Sequence, residues 1–599
     1  MSMSFHHSIK PNQKNERIRH LLVFDVESNI DKKLGNKTIF EPFLWSLIYS
    51  RYRTEDKAWI DKKEYGTNID DFWDIVESYA YNKEKLILSS HHLEPDIIPL
   101  QSVAQLDKRD WKLSKYITHN KILMFDFTKD KRKIVITNSG NIFPGSIAEW
   151  GKALKIDKLD MPTAKELNKE WVDYCMRDCE VLLAMWKTYI DFLNIHNMGN
   201  MKFTAASQAM TSYRHRFMPK TIAIHNHPET LALERLAYHG GRFQALQIGN
   251  ISETPLYRLD INSMYGDIMC KADLPYELRG YQETCKLDKI VWLLKKYAVI
   301  AEMTIRTFEP VFPVIKDDKV TYPLGKITGF FCTPEIEYIL EHCSIISIGK
   351  VSWYRKYPIL SEYSTYFLNV RQAYKKEANK PFEMMAKLFV NSLYGKFGQY
   401  GYKEEIIGDC DEGVMTFQES YDTTTKQKIG YLLYGGKIHV VKKENNSYNT
   451  FVAVAAHITA YGRINLWKLI KQAGVNNVYH VATDSLIVNT IGFEALQDKI
   501  DANTFGLLKV EEIIKKLIVK APNDMVMDET EKIKGVSKKA IKHSDNTYTV
   551  TCWPSFNALM KRNELGFYYT RSVTKTLKRK DYLTLDDKGN AVKMVYETM

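Results

Sequence analysis

The chain has 599 residues, with 84 lysines and arginines against 72 aspartates and glutamates, a formal charge of +12, and 36 tyrosines within an aromatic share of 12%. That length and apolar content suit about three to five folded domains and exclude wholesale disorder, while a basic, aromatic-rich surface fits a polyanion such as nucleic acid. The eight cysteines show neither a CxxC pair nor a zinc spacing, residues 1–20 are polar, and no run of about 18 apolar residues occurs, so a disulfide scaffold, secretion and membrane spanning are all disfavoured.

The first third carries carboxylates at three stations. The apolar run 21–24 predicts a strand ending in Asp25-Val26-Glu27, and strand alternation sends Asp25 and Glu27 to one face. Two like charges side by side repel unless a cation lies between them, which makes the pair a candidate metal site; an exposed strand end is the plain alternative. A second strand at 86–88 precedes Ser89-Ser-His-His-Leu-Glu-Pro-Asp96. The third station is Tyr174 and Asp178, i and i+4 on a helix running to about residue 190, with Val181, Leu182 and Met185 on its apolar stripe. Lys158 reads as a surface lysine, with a phosphate contact as its alternative.

Further on, 231–238 predicts a helix that stops at Gly240-Gly241 before Arg242 begins an extended run. Glycines there let a backbone approach a phosphate, and they equally fit a helix C-cap. The strand 256–259 ends at Asp260, followed by Ile-Asn-Ser-Met-Tyr265-Gly266. Residues 271–350 mix short strands with a helix from Thr333-Pro-Glu to about Glu341. The stretches 363–378 and 382–394, separated by Pro381, predict two antiparallel helices. Arg371 and Lys375 align on the first, and Lys387, Asn391 and Tyr394 on the second. Facing one another, they form a polyphosphate clamp, whereas a lysine-rich helix alone is usually a solvated face.

About five strand-like runs fill 399–450, and a helix at 455–469 carries Thr459-Ala-Tyr-Gly-Arg463. The segment 475–489 reads as a β-hairpin with Asp484 at its tip, between runs at 478–482 and 486–488. A rigid tip carboxylate suits Mg²⁺, and an Asx turn without any ligand is the alternative. Lys532, Lys534, Lys538 and Lys539 form a basic strip able to track a nucleic-acid backbone. The last 50 residues predict a helix and then a basic strand.

In this order the motifs resemble those of family B DNA polymerases over nearly the whole chain. The DxE strand, second aspartate and YxxxD helix are similar to the three exonuclease motifs of proofreading members. The resemblance implies that Asp25, Glu27, Asp96 and Asp178 hold two metals and that Tyr174 orients the attacking water. His92 and Pro95 depart from the asparagine and aromatic usual in the second motif. Tyr238-His-Gly240-Gly241-Arg242 resembles the YxGG element between exonuclease and polymerase domains. Asp260 to Gly266 resembles DxxSLYP with Met264 and Gly266 substituted. This implies that Asp260 is a metal ligand and that Tyr265 packs under the sugar, where a 2′-OH would collide with it; ordinary core packing of the tyrosine fits the same geometry.

Lys387 to Gly398 matches KxxxNSxYGKFG at every defining position. Thr459 to Arg463 resembles TxxGR, which implies contacts of Thr459 and Arg463 with template phosphates. The hairpin falls where YxDTDS belongs: Asp484 aligns with the aspartate that shares both metals with Asp260, and the other aspartate is Ala482 here. Asn523 and Met525 stand where relatives often have Lys-x-Tyr. Lys532 and Lys534 resemble the KxKG segment.

The implied architecture is a multidomain α/β and α+β protein: a ribonuclease H-like 3′–5′ exonuclease domain, then a right-hand polymerase with palm, fingers, thumb and two insertions. The expected boundaries are 1–190 for the N-terminal segment and exonuclease, and 191–599 for the polymerase. Within the latter, the palm covers about 230–275 and 451–540, the first insertion about 276–355, the fingers about 356–398, the second insertion about 399–450 and the thumb about 541–599. Compact length and the two insertions look like the protein-primed branch of phages, viruses and linear plasmids. Two Mg²⁺, or Mn²⁺, are expected per site. The expected partners are template and primer DNA, dNTPs and a terminal priming protein, for an intracellular, soluble monomer off the membrane. Ala482 motivates the alternative, a polymerase-shaped DNA-binding protein or exonuclease with impaired synthesis.

Overall fold

The computed structural model describes residues 5–599 apart from 17, 120–121, 165, 317–318, 425–426, 445, 538, 566–567, 578–583, 586–590, 593–594 and 597–599. Lys538 of the basic strip and part of the expected 541–599 thumb therefore lie outside the described residues. Three large sheets organise the rest.

The first sheet is built on the strand His20–Leu34. Its alternation is visible in the packing. Leu21 and Val23 join a core with Cys179, Leu182 and Trp186 of the helix Lys169–Ile195, while Leu22 and Phe24 face Phe72 and Trp73 on the other side. Each such side chain contributes about 1.5–3 kcal/mol by leaving water. The strand is longer than its apolar run predicts, because Lys37–Arg53 pairs antiparallel with it along its length, Asp25 opposite Ser46 and Glu27 opposite Leu44. On its other edge the parallel partner Lys85–Ser90 ends at Ser89, opposite Val23. Asp25 and Glu27 thus lie within the strand, beyond the reach of that neighbour, and not at a strand end.

The C-terminal hairpin Thr547–Cys552 and Tyr569–Thr576 extends this same sheet. Tyr569–Thr576 pairs with Lys37–Arg53 from Lys37↔Arg571 to Ile39↔Tyr569. This hairpin of the expected thumb is therefore hydrogen-bonded into the first sheet, while Val595–Tyr596 pairs with Leu324–Cys332 of another sheet.

The second sheet has the strand order Phe243–Ala245, Val478–Ala482, Ser485–Val488, Leu256–Ile261, Leu508–Ile514. The helix Val452–Ala473 is buried on nearly every side, as an apolar helix inside a domain must be. A third sheet contains Leu274–Gln282, Tyr297–Thr307, Leu324–Cys332 and Ser344–Tyr357, with Ile222–His225 and the N-terminal Phe5–Ile9 at one edge.

The predicted helical hairpin is Ser361–Lys376 followed by Lys380–Phe397. Ala378 takes a positive φ of 54° in the turn, Asn379 accepts from the Phe382 N–H, and Pro381 occupies the first turn, where it loses no hydrogen bond. Among the described residues the arm after it has four strands where about five were expected, Gly401–Asp409, Thr416–Asp422, Gln427–Tyr434 and Lys437–Glu444. Its Met415, Leu432 and Tyr434 are buried in the core of the first sheet.

Candidate functional site

Two carboxylate centres form on two different sheets. In the first, the Lys169–Ile195 helix starts at Asn168, whose side chain accepts from the Trp171 N–H, and crosses the face that carries Asp25 and Glu27. One turn of helix separates Tyr174 from Asp178, and both are buried. Asp96 comes from the short turn Glu94–Ile97, and it too is buried. The group is electrostatically tight. Burial, then the neighbouring Asp178, pushes the Asp25 carboxyl up to about 7. Burial, then Asp25, pushes Glu27 up to about 8. Asp96 rises for the same two causes, burial and Asp25.

This donor set fits hard divalent cations, since four carboxyls converge and two oxygens, Asp96 Oδ2 and Asp178 Oδ1, are buried with no hydrogen-bond partner. Lys158, which reads from sequence as a surface lysine, instead contacts Asp178 Oδ2 and lies 4.7 Å from the centre of the Tyr174 ring. The loop 155–164 brings it there, a placement that its own segment does not encode.

The second centre is a row across the second sheet. Phe243 pairs with Ala482, Ala482 with Ser485, Ser485 with Asp260, and Asp260 with Lys509. Directly paired residues share a face. Thr483 turns the hairpin with a positive φ of 61°, its N–H donates to the Arg242 carbonyl at 2.6 Å, and the Ile261 N–H donates to the Asp484 carbonyl at 2.7 Å. These two bonds fix the Asp484 tip between the strand entered at Arg242 and the strand bearing Asp260. Burial, then Asp260, raises the Asp484 carboxyl to about 6. Two oxygen donors held this close fit a shared divalent cation.

Lys509 was not singled out by sequence reading. Its Nζ lies 3.2 Å from Asp260 Oδ2 and 3.0 Å from Glu511 Oε1.

The helical hairpin faces this row. Arg371 donates to Ser263 Oγ at 2.7 Å, and burial lowers its pKa against the opposing pull of Glu383 and Asp260. Lys375, Lys387 and Asn391 are exposed on the two helices, and the Lys387 charge acts on Glu511 of the sheet. Tyr265 packs against Tyr394 with ring centres 4.7 Å apart. Gly241 and Gly462 are needed beside it: a Cβ on Gly241 would stand 2.8 Å from the Tyr265 hydroxyl and 2.7 Å from Thr483 Cγ2, and one on Gly462 would stand 3.0 Å from the ring.

Among the expected DNA contacts, Lys532, Lys534 and Gly240 are exposed, and Tyr238 is half-buried with its ring against Gly398. Three others are buried in the fold. Arg463 is 1% exposed, bonded to Glu335 Oε1 at 2.8 Å and to the carbonyls of His239 and Gly240 at 2.8 and 2.9 Å. Thr459 donates to backbone within its own helix. Arg242 is buried over Tyr322 and Trp467. None of the three presents its polar group to a groove, because the helix they pack with is interior.

Another residue escaped the sequence reading. Tyr568 stacks on Trp553 at 4.6 Å and meets the Phe40 ring at a tilt, with centres 5.6 Å apart. Burial raises its phenol pKa, and so do Asp96, Glu27 and Asp25, which puts it beside the first centre. No local signal marks it, since the pairing of Tyr569–Thr576 with Lys37–Arg53 brings it there.

A family model described as DNA polymerase type B, organellar and viral, matches residues 156–474. A "Probable DNA polymerase" of Neurospora intermedia is 23% identical over 371 residues, 59% of this chain and 37% of that protein. The DNA-directed DNA polymerase of Enterobacteria phage PRD1 is 26% identical over 361 residues, 58% of each chain. The chain thus spans less than two thirds of the length of these relatives. The solved structure of Phi29 DNA polymerase with primer-template DNA and incoming nucleotides aligns with a TM-score of 0.64 at 15% identity, covering 94% of this chain and all of that one. At that identity the likeness is one of fold. Among the described residues, no helix is long and apolar enough to cross a membrane.

Proposed function

Because the chain belongs to the organellar and viral type B DNA polymerases, we propose that it extends a primer on a DNA template at the second centre and trims 3′ ends at the first. The observation that carries this reading is the sheet in which Asp260 and the Asp484 tip are held side by side, with Arg371 and Lys387 of the helical hairpin acting on it. When bound, two divalent cations at such a pair lower the pKa of an attacking hydroxyl and neutralise the leaving group. The chain's own residues do the rest. Asp260 and Asp484 would hold the cations, and the helical hairpin would receive the triphosphate and neutralise pyrophosphate as it departs. The Tyr265 ring, wedged between Tyr394 and two glycines, would exclude a ribose 2′-OH.

At the first centre Asp25, Glu27, Asp96 and Asp178 would hold the corresponding pair, with Tyr174 and Lys158 against the attacking water and the phosphate. Priming by a terminal protein is the finer part of the proposal, supported by the resemblance of the two insertions to those of protein-primed relatives. A second reading, a DNA-binding protein with lapsed synthesis, is favoured by Ala482 in the sheet row. Deoxynucleotide incorporation on a primed template, with Mg²⁺ and with Mn²⁺, decides between the two. Product supports the polymerase, and absence of product under both metals with DNA binding intact supports the rival.

A further inference from the structure

The first centre holds a donor that the proposed chemistry does not use. Cys175 follows Tyr174 on the Lys169–Ile195 helix and is fully buried. Its Sγ is 3.5 Å from Asp25 Oδ2. Asp25, Glu27 and Cys175 each offer a donor atom, and all three atoms lie within 4.8 Å of one another. At bonds of about 2.0–2.3 Å, oxygen and sulfur donors round one tetrahedral cation lie about 3.3–3.5 Å apart, so Cys175 and Asp25 already stand at that spacing and the widest pair closes by about 1 Å.

Two more groups point to a ligand in the same place. Asp96 and Asp178, each 5% exposed, keep one carboxylate oxygen without a hydrogen-bond partner, and each is close enough to Asp25 for their charges to interact. Cys179, one turn further along the helix, differs. Both thiols reach a backbone carbonyl, Cys175 that of Asp25 at 3.5 Å and Cys179 that of Ser46 at 3.3 Å, but Cys175 also lies against a carboxylate oxygen and belongs to the donor cluster.

We propose that Asp25, Glu27 and Cys175 form a mixed oxygen–sulfur site that takes a borderline or soft divalent cation, Zn²⁺ or Cd²⁺, with the Cys175 thiolate as a ligand. Sulfur donors select such ions, whereas Mg²⁺ keeps to oxygen. Mg²⁺ is then held by the carboxylates alone. A zinc-class ion draws in the sulfur, the metal–sulfur bond forming as the thiol proton leaves to bulk water. For its consequence the inference rests on the proposed 3′-end trimming: a zinc-class ion bound here displaces the ions that support trimming.

The test is a Cd²⁺ titration of the full chain, followed by the sulfur-to-cadmium charge-transfer absorbance in the ultraviolet. Wild type is compared with Cys175→Ser and, because the serine variant can fail to fold, with Asp25→Asn, which leaves the thiol in place. The expected result is a saturable band from one ion, absent in Cys175→Ser after subtraction of the other thiols, and at least about tenfold weaker Cd²⁺ binding in Asp25→Asn, the loss that even an outer partner of a metal site causes. A wild-type band unchanged in both variants, or no band in wild type, overturns the proposal. Mg²⁺-supported degradation of a single-stranded oligonucleotide by untreated wild type is measured alongside. Its absence would count against the trimming reading, while the Cd²⁺ band still decides the sulfur ligand.

Discussion

Lys509 shows how a single side chain sets the terms of the second centre. Its ammonium stands 3.2 Å from Asp260 Oδ2, the oxygen that a cation needs, so part of the attraction for Mg²⁺ is already met by protein. Changing Lys509→Ala is expected to lower the Mg²⁺ concentration for half-maximal primer extension by about 2- to 10-fold, the scale of one partly screened charge interaction; a higher Mg²⁺ requirement would mean that the lysine acts on the substrate instead. At the first centre, Asp25 and Glu27 titrate at about 7 and about 8 in the fold, against about 4 in an unfolded chain. The folded state therefore binds more protons between those values, and stability falls as pH rises through them. With divalent ions chelated, the Asp25→Asn, Glu27→Gln pair is expected to be more stable than wild type at pH ~9 by about 1 kcal/mol or more, since one pKa unit is about 1.4 kcal/mol. The difference should vanish near pH ~4, and thermal unfolding at the two pH values measures it.

At the scale of elements, buried Arg463 pairs with Glu335 to join the helices Val452–Ala473 and Thr333–His342, and its other nitrogen bonds the loop that carries Gly240 and Gly241. Arg463→Met would leave Glu335 as an uncompensated buried charge, a loss of about 3–5 kcal/mol, and Glu335→Leu in the same chain should recover most of it. In that double variant the salt dependence of DNA binding is expected to match wild type, whereas Lys532→Ala should reduce the slope by about one. A shallower slope in the double variant would return Arg463 to the DNA.

Local pattern carried far for some elements and stopped short for others. The helices 361–376 and 380–397, the second with Pro381 in its first turn, and the 478–488 hairpin were legible because their caps, breakers and alternation are contiguous in sequence. The length of His20–Leu34 was not, because its polar second half is held by Lys37–Arg53 and not by its own side chains. Lys509 beside Asp260 escaped for the same reason, a register between distant strands. Burial of Arg463 escaped because an arginine in a phosphate-contact motif and an arginine in a core ion pair look alike until the partner is known.

Over the whole molecule, the two centres share one connected body. The C-terminal Tyr569–Thr576 strand completes the first sheet, the arm's Met415 and Tyr434 enter that sheet's core, and His196 at the end of the long helix bonds Tyr366 and Tyr374 of the helical hairpin at 2.8 Å each. Thr570→Pro removes a donor from the pairing with Thr38. It is expected to lower hydrogen-exchange protection of 37–39 and 569–571 together, and to slow degradation of single strands by displacing Tyr568. Loss of protection in only one segment would show that the two do not act as a unit.

The central claim is that synthesis belongs to the Asp260–Asp484 pair and trimming to the Asp25 cluster. The most direct measurement is primer extension and single-strand degradation on the same preparations of wild type, Asp484→Asn and Asp25→Asn. The account predicts that Asp484→Asn loses extension and keeps degradation, and that Asp25→Asn does the reverse. Extension retained by Asp484→Asn, or both activities lost together in either folded variant, would contradict it.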